Sequence, residues 1–184
     1  LLRAAAGQTP KIQGNATGAV LIGQSSATGL TGRGGLVINH SYVTVEGIEV
    51  FGGPNFGIMM QGNNTTPFNL NTTDITIRRC IVRDIPDGPG IAFMGQNSGY
   101  ATNLLIENNF VWGCFTNSGN PTSSGVLLLN TGGSITVRNP ASGSGTIRHN
   151  TILHNSTFAT TGAIYAYASS SSFALHNVNN NIVV

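Results

Sequence analysis

Apolar and polar residues alternate along this chain in short bursts, without helical spacing. Five bursts align when Val43, Ile75, Leu104, Gly145 and His176 share a column, at intervals of 32, 29, 41 and 31 residues. The columns that follow read Val45, Ile77, Ile106, Ile147, Val178 and then Val50, Val82, Val111, Ile152, Val183. A second series, "GIMM" from Gly57, "GIAFM" from Gly90, "GVLLL" from Gly125 and "GAIYAY" from Gly162, recurs at 33, 35 and 37 residues. Period-two alternation with β-branched residues, bounded by Gly and Asn, predicts strands. A repeat of about 30 residues holding two or three strands is one coil of a solenoid, each strand about 4.8 Å above its counterpart. The prediction is an all-β parallel β-helix (β-solenoid) of about six coils, one domain over residues 1–184.

Two polar columns interrupt the apolar ones. Ile48, Cys80, Asn109, Asn150 and Asn181 fall where the strands bend. Asn tolerates the left-handed backbone expected at such a corner, and stacked carboxamides can bond along the column, so an asparagine ladder of Asn109, Asn150 and Asn181 is expected. The other column, Glu46, Arg78, Glu107, Arg148, Asn179, changes sign from coil to coil, which pairs neighbours instead of opposing them. These pairs are expected to be exposed and weak. Cys80 and Cys114 fall on different columns, too far apart along the strand for a disulfide, so both are expected as buried thiols.

Composition supports β structure and removes several functions. The chain has 25 Gly but only 8 Lys+Arg and 6 Asp+Glu, net +2. With no basic cluster, nucleic acid is not an expected partner. No run reaches the roughly 18 apolar residues of a membrane span. His40, His149, His154 and His176 are scattered, no CxxC, HxH or HExxH occurs, and no metal ligands are assigned. "TGRGGL" at 31–36 lacks the lysine and the helix of a phosphate loop and reads as a turn. Sequons occur at Asn15, Asn39, Asn63, Asn64, Asn71 and Asn155, three of them in "QGNNTTPFNLNTT", expected to be an exposed loop. "SITVRN" is expected as a small extra strand within the long segment before residue 145. Both ends, "LLRAAAGQTPKIQG" and "NNNIVV", read as strands without caps. The expectation is a piece of a longer chain, or coils that stack end to end between chains.

The segments "YVTVEGIEVFGGPNFGI", "LLIENNFV", "IRHNTILHN" and "LRAAAGQTPKIQG" resemble right-handed parallel β-helix proteins of the pectate-lyase-like superfamily. The resemblance implies a right-handed coil and an extracellular, secreted or cell-surface location. It covers lyases, hydrolases, epimerases, tailspikes and adhesins, so it implies fold more than activity. Lyases of that group use a basic residue to abstract a proton beside a uronate carboxylate, often with Ca2+ held by clustered acids. Here Arg83 is the position for such a base, beside Asp84 and Asp87. The paired aspartates and Gly-His-Gly of the hydrolases are absent.

Stacked outward from the second apolar column are Phe51, Arg83, Trp112 and Leu153, with Asp84, Asp87 and His154 on adjoining loops. Aromatic faces stack on sugars and Arg forks carboxylates, so Phe51, Trp112 and His154 are expected to bind substrate. The competing reading is an apolar cluster beneath a folded loop. Two functions stand: a carbohydrate-active protein, lyase-like on acidic polysaccharide, or a non-catalytic solenoid serving as filament, adhesin or tailspike segment. Ice binding would need an unbroken threonine array, and Leu105 and Asn177 interrupt Thr44, Thr76 and Thr146.

Overall fold

The computed structural model describes residues 1–14, 20–23, 34–65, 68–70, 72–96, 101–114, 133–138, 143–153, 162–167 and 173–184. Every regular element among them is a strand. The first sheet stacks Leu2–Arg3, Thr44–Glu46, Thr76–Arg78, Ala101–Glu107, Gly143–Arg148 and Phe173–Asn179, with Thr72–Thr73 beside Ala101. The second stacks Lys11–Gln13, Glu49–Phe51, Ile81–Ile85, Phe110–Cys114, Thr151–Leu153 and Ile182–Val183. The third stacks Val20–Gly23, Gly34–Asn39, Phe56–Thr65, Ile91–Gln96, Gly133–Arg138 and Gly162–Tyr167. All of these stacked neighbours are parallel, as a solenoid requires.

The columns read from the sequence recur in the register. Val45, Ile77, Ile106, Ile147 and Val178 lie opposite one another, as do Val50, Val82, Val111, Ile152 and Val183. All of these except Val178 and Val183, which are exposed, form one core together with Leu36, Ile38, Ile58, Met60, Ile91, Phe93 and Ile135 of the third sheet. Val37, Met59 and Ala92 alternate with those third-sheet residues, point away from the core, and are still fully buried. The outer face of the third sheet is therefore covered at these positions. The glycine opening "GIMM" is a packing requirement: a Cβ on Gly57 would sit 2.5 Å from the Gly90 carbonyl oxygen of the next coil.

Four expectations need correction. Gly145 lies opposite Leu175, not His176, because the register slips before Thr146 meets Asn177. A bulge absorbs His176 at a glycine, where ladder disruption costs least side-chain packing. "SITVR" is no extra strand but this coil's third-sheet strand, with Ile135 opposite both Ile91 and Ile164. It alternates polar and β-branched residues, which "GVLLL" does not, and residues 125–129 lie outside those described. "QGNNTTPFNLNTT" is largely strand: Phe56–Thr65 runs on into it, and Phe68–Leu70 returns antiparallel with Asn64 opposite Asn69.

The fourth correction concerns the corner. The left-handed residues are Gly47, Arg79, Asn108, His149 and Asn180, one position before the predicted column. These are the outer, solvated residues of the bend; His149 is exposed, with Asn180 3.2 Å away. The following column points inward instead, and at Asn109, Asn150 and Asn181 it carries a repeated set of bonds. Each carboxamide nitrogen donates to the backbone carbonyl three residues before its counterpart in the preceding coil: Ile77, Ile106 and Ile147, all at 3.0 Å. Asn109 Nδ2 also donates to Asn150 Oδ1, and Asn150 Nδ2 to Asn181 Oδ1. The same oxygens accept the backbone N–H of Asn109 and Asn150, while Asn109 Oδ1 accepts that of Cys80. Polar groups that would be costly in an apolar core are thereby satisfied.

Candidate functional site

The second sheet presents two outward columns: Glu49, Ile81, Phe110, Thr151 and Phe51, Arg83, Trp112, Leu153. Arg83 is the hub. Its guanidinium carbon lies 4.6 Å from the Phe51 ring centroid and 6.0 Å from that of Trp112. Phe110 and Trp112 are themselves in contact, centroids 4.5 Å apart. Arg83 Nε donates to Glu49 Oε1 at 2.7 Å, and a second guanidinium nitrogen pairs with Asp84. Glu49 also holds Lys11 at 3.2 Å. The hydrogen bond to Glu49, then the one to Asp84, push the Arg83 pKa up. A proton-abstracting base needs the opposite shift.

Asp84 is exposed and has φ 55°, at a bend where the coils on either side place Gly52 and Gly113. A single aspartate in a glycine column is tolerated because Asp visits the left-handed region at modest cost. Asp87 follows on the next turn, its backbone N–H bonded to the Pro54 carbonyl. His154 lies outside the described residues. The structure thus brings Phe51, Arg83, Trp112 and Asp84 together, with Asp87 one turn away. Glu49 was not legible as a partner: it is a lone acid in an aliphatic run, and its two cations lie in other coils.

The sign-alternating column on the first sheet is more buried than expected. Glu46 is only 3% exposed and collects Arg78 at 3.1 Å, Arg79 at 2.7 Å and Arg3 at 3.4 Å. Arg148 pairs with Glu107 at 2.8 Å. The hydrogen bond from Arg78 outweighs burial and holds the Glu46 carboxyl below its ordinary value, and Arg83 does the same for Glu49. Groups with depressed folded-state pKa values contribute stability above the unfolded value, and lose it as pH falls through the folded one. Thermal melts should therefore be flat near neutrality and fall progressively below about pH 4.5. Glu46→Gln should be less stable at pH 7 but lose less on acidification; an equal acid loss in both proteins would rule out this carboxylate as a cause.

Cys80 and Cys114 are both buried thiols. Burial raises the Cys80 pKa to about 11, so it carries little thiolate. Asn39, in one of the sequons, is fully buried and its side-chain atoms have no hydrogen-bond partner, so in the folded protein it is closed to glycosylation. Among the described residues no three His, Cys, Asp or Glu side chains converge to hold a metal, and no helix is long and apolar enough to cross a membrane.

A family model described as the right-handed beta helix region matches residues 7–140 and again 34–184. The chain belongs to the right-handed β-helix family. That family contains both carbohydrate-active enzymes and structural proteins. No curated protein and no solved structure matched this β-helix.

Proposed function

We propose that this β-helix is an extracellular glycan-binding protein whose platform is the Phe51–Arg83–Trp112 column with Phe110 beside it. The observation that carries the reading is the Arg83 guanidinium, fixed by Glu49 and Asp84 beside two aromatic rings on an outward face. The platform spans three coils without a flexible cation, so a sugar ring loses little by stacking on it. Glu49 and Asp84 already balance Lys11 and Arg83, which favours ring stacking over capture of a free uronate. The lyase version of this reading needs a deprotonated Arg83, and the two carboxylates oppose that.

The test is affinity electrophoresis on pectate, alginate, glycosaminoglycan and neutral polysaccharides, with and without Ca2+, alongside ultraviolet absorbance for the unsaturated product of uronate elimination. Retardation by at least one polymer, weakened about fivefold by Trp112→Ala, is expected, since an aromatic contact is worth about 1 kcal/mol. Binding that ignores Trp112→Ala would remove the platform from the reading. Absorbance growth abolished by Arg83→Ala would establish the lyase instead.

A second reading, the non-catalytic solenoid, has its own support. Arg3, Lys11, Arg78, Arg79, Arg83 and Arg148 are all drawn into pairs between coils. End-to-end association of coils belongs to this reading.

A further inference from the structure

On the first sheet, away from the aromatic platform, lies an open groove of about 510 Å3. Thr76, Leu105 and Thr146, one from each of three successive coils, form its floor. One wall is a polar stack at the bend that enters the sheet: Asp74, Asn103 and Ser144. Asn103 Nδ2 donates to Asp74 Oδ1 at 2.9 Å, and Thr73 donates to the other carboxylate oxygen at 3.2 Å. Ser144 Oγ accepts the Asn103 backbone N–H at 3.1 Å and lies 3.4 Å from Asn103 Oδ1. Asp74 and Asn103 have φ of 54° and 55°, so the same left-handed bend aims both side chains along one line.

We propose that this groove binds a neutral oligosaccharide lying along the solenoid axis. Its size falls within the range of about 300–1,000 Å3 usual for small-molecule sites. Its chemistry is that of a polyol receptor. A carboxylate accepts from hydroxyls, a carboxamide both donates and accepts, and two threonine hydroxyls do either. Leu105 offers an apolar patch between the two threonines for the C–H face of a ring. The polar groups repeat at the coil rise of about 4.8 Å, close to the length of one pyranose in an extended chain, so successive sugars would meet successive coils. Charge excludes the acidic alternatives: Arg148 on the far wall is neutralised by Glu107, which leaves Asp74 to repel an anion. The interruption of the threonine column by Leu105, which speaks against an ice-binding array, is what gives this floor its amphipathic character.

The groove shares no residue with the aromatic platform, so the two sites fail separately. Saturation-transfer NMR and titration with cello-, xylo-, manno- and malto-oligosaccharides should show binding of at least one. Thr146→Arg, which fills the groove, should weaken it at least tenfold in the Trp112→Ala background, where the platform no longer contributes. Should Thr146→Arg fail to fold, Asn103→Gly suits the same backbone, deletes the carboxamide with its Cβ, and should weaken binding several-fold. A uronate oligosaccharide of equal length should bind more weakly than its neutral counterpart. The proposal is overturned by no binding from any neutral series, by binding unchanged in both groove variants, by loss only in Trp112→Ala, or by preference for the uronate.

Discussion

Asn150→Ala should lower the unfolding free energy by about 4 kcal/mol, among the largest effects of any single side chain here. Asn150 is 1% exposed and sits at the centre of the amide column. Truncation strands the Asn109 backbone N–H, one hydrogen of its carboxamide and the Ile106 carbonyl, while the Asn181 oxygen keeps the backbone N–H of residue 150. A buried polar group left without a partner costs about 1–3 kcal/mol, so three such groups account for about 4 kcal/mol. Asn109→Ala strands the Cys80 backbone N–H and the Ile77 carbonyl and should cost about 3 kcal/mol by the same rule. Asn150→Asp separates bonding from shape. It keeps the accepting oxygen but faces the Ile106 carbonyl with a second acceptor, so it should be nearly as damaging as alanine. Urea unfolding of the three variants decides the matter. A loss below about 1 kcal/mol for Asn150→Ala would mean that the column follows the fold without supporting it.

Phe93→Ala should cost about 3–5 kcal/mol. Phe93 is fully buried, with Met60 opposite on one side and Val137 on the other. The upper half of that range is expected because a solenoid core cannot collapse freely. The backbone ladders fix the rise between coils, so neighbouring columns cannot close vertically over the void. Phe93→Leu retains most of the volume and should cost less than about 1.5 kcal/mol. If alanine and leucine destabilise equally, shape rather than cavity volume governs this layer. Calorimetric or denaturant unfolding separates the two outcomes.

Much of the fold was legible because a stacked solenoid writes its register into the sequence. Val45, Ile77, Ile106, Ile147 and Val178 must face inward in every coil, so their spacing survives when everything between them changes. What the spacing could not show was slippage at a residue without a side chain: Gly145 gave no signal that His176 would bulge out. Nor did it show that "SITVR" takes the third-sheet place in its coil, because a short alternating run reads as a strand and only its neighbours Ile91 and Ile164 say in which sheet. The left-handed position was read one residue late for a similar reason. The repeated asparagines drew attention to the inward column, while the left-handed backbone falls on the column before it, where Arg79 and His149 break the run of Gly47, Asn108 and Asn180.

The candidate site was legible in part. Stacking Phe51, Arg83 and Trp112 needed only the register. That Arg83 is committed to Glu49 and Asp84 needed the geometry, because ion pairing depends on side chains reaching across coils 34 residues apart. The first-sheet groove left no motif at all. Asp74, Asn103 and Ser144 are unlike residues at unlike distances, joined only by the bend they share.

The bend between the first and second sheets has a further consequence. From Glu46 to Glu49, Arg78 to Ile81, Glu107 to Phe110, Arg148 to Thr151 and Asn179 to Ile182 the chain takes an identical short step, and the amide column accepts no other. The passages to the third sheet obey no such rule, running from Phe51 to Phe56 in one coil and from Cys114 to Gly133 in another. One edge of this prism is therefore closed to insertion while another tolerates it. Grafted peptides or inherited length changes should be accepted where the second sheet gives way to the third, and a single residue added after Glu107 should unzip the stack.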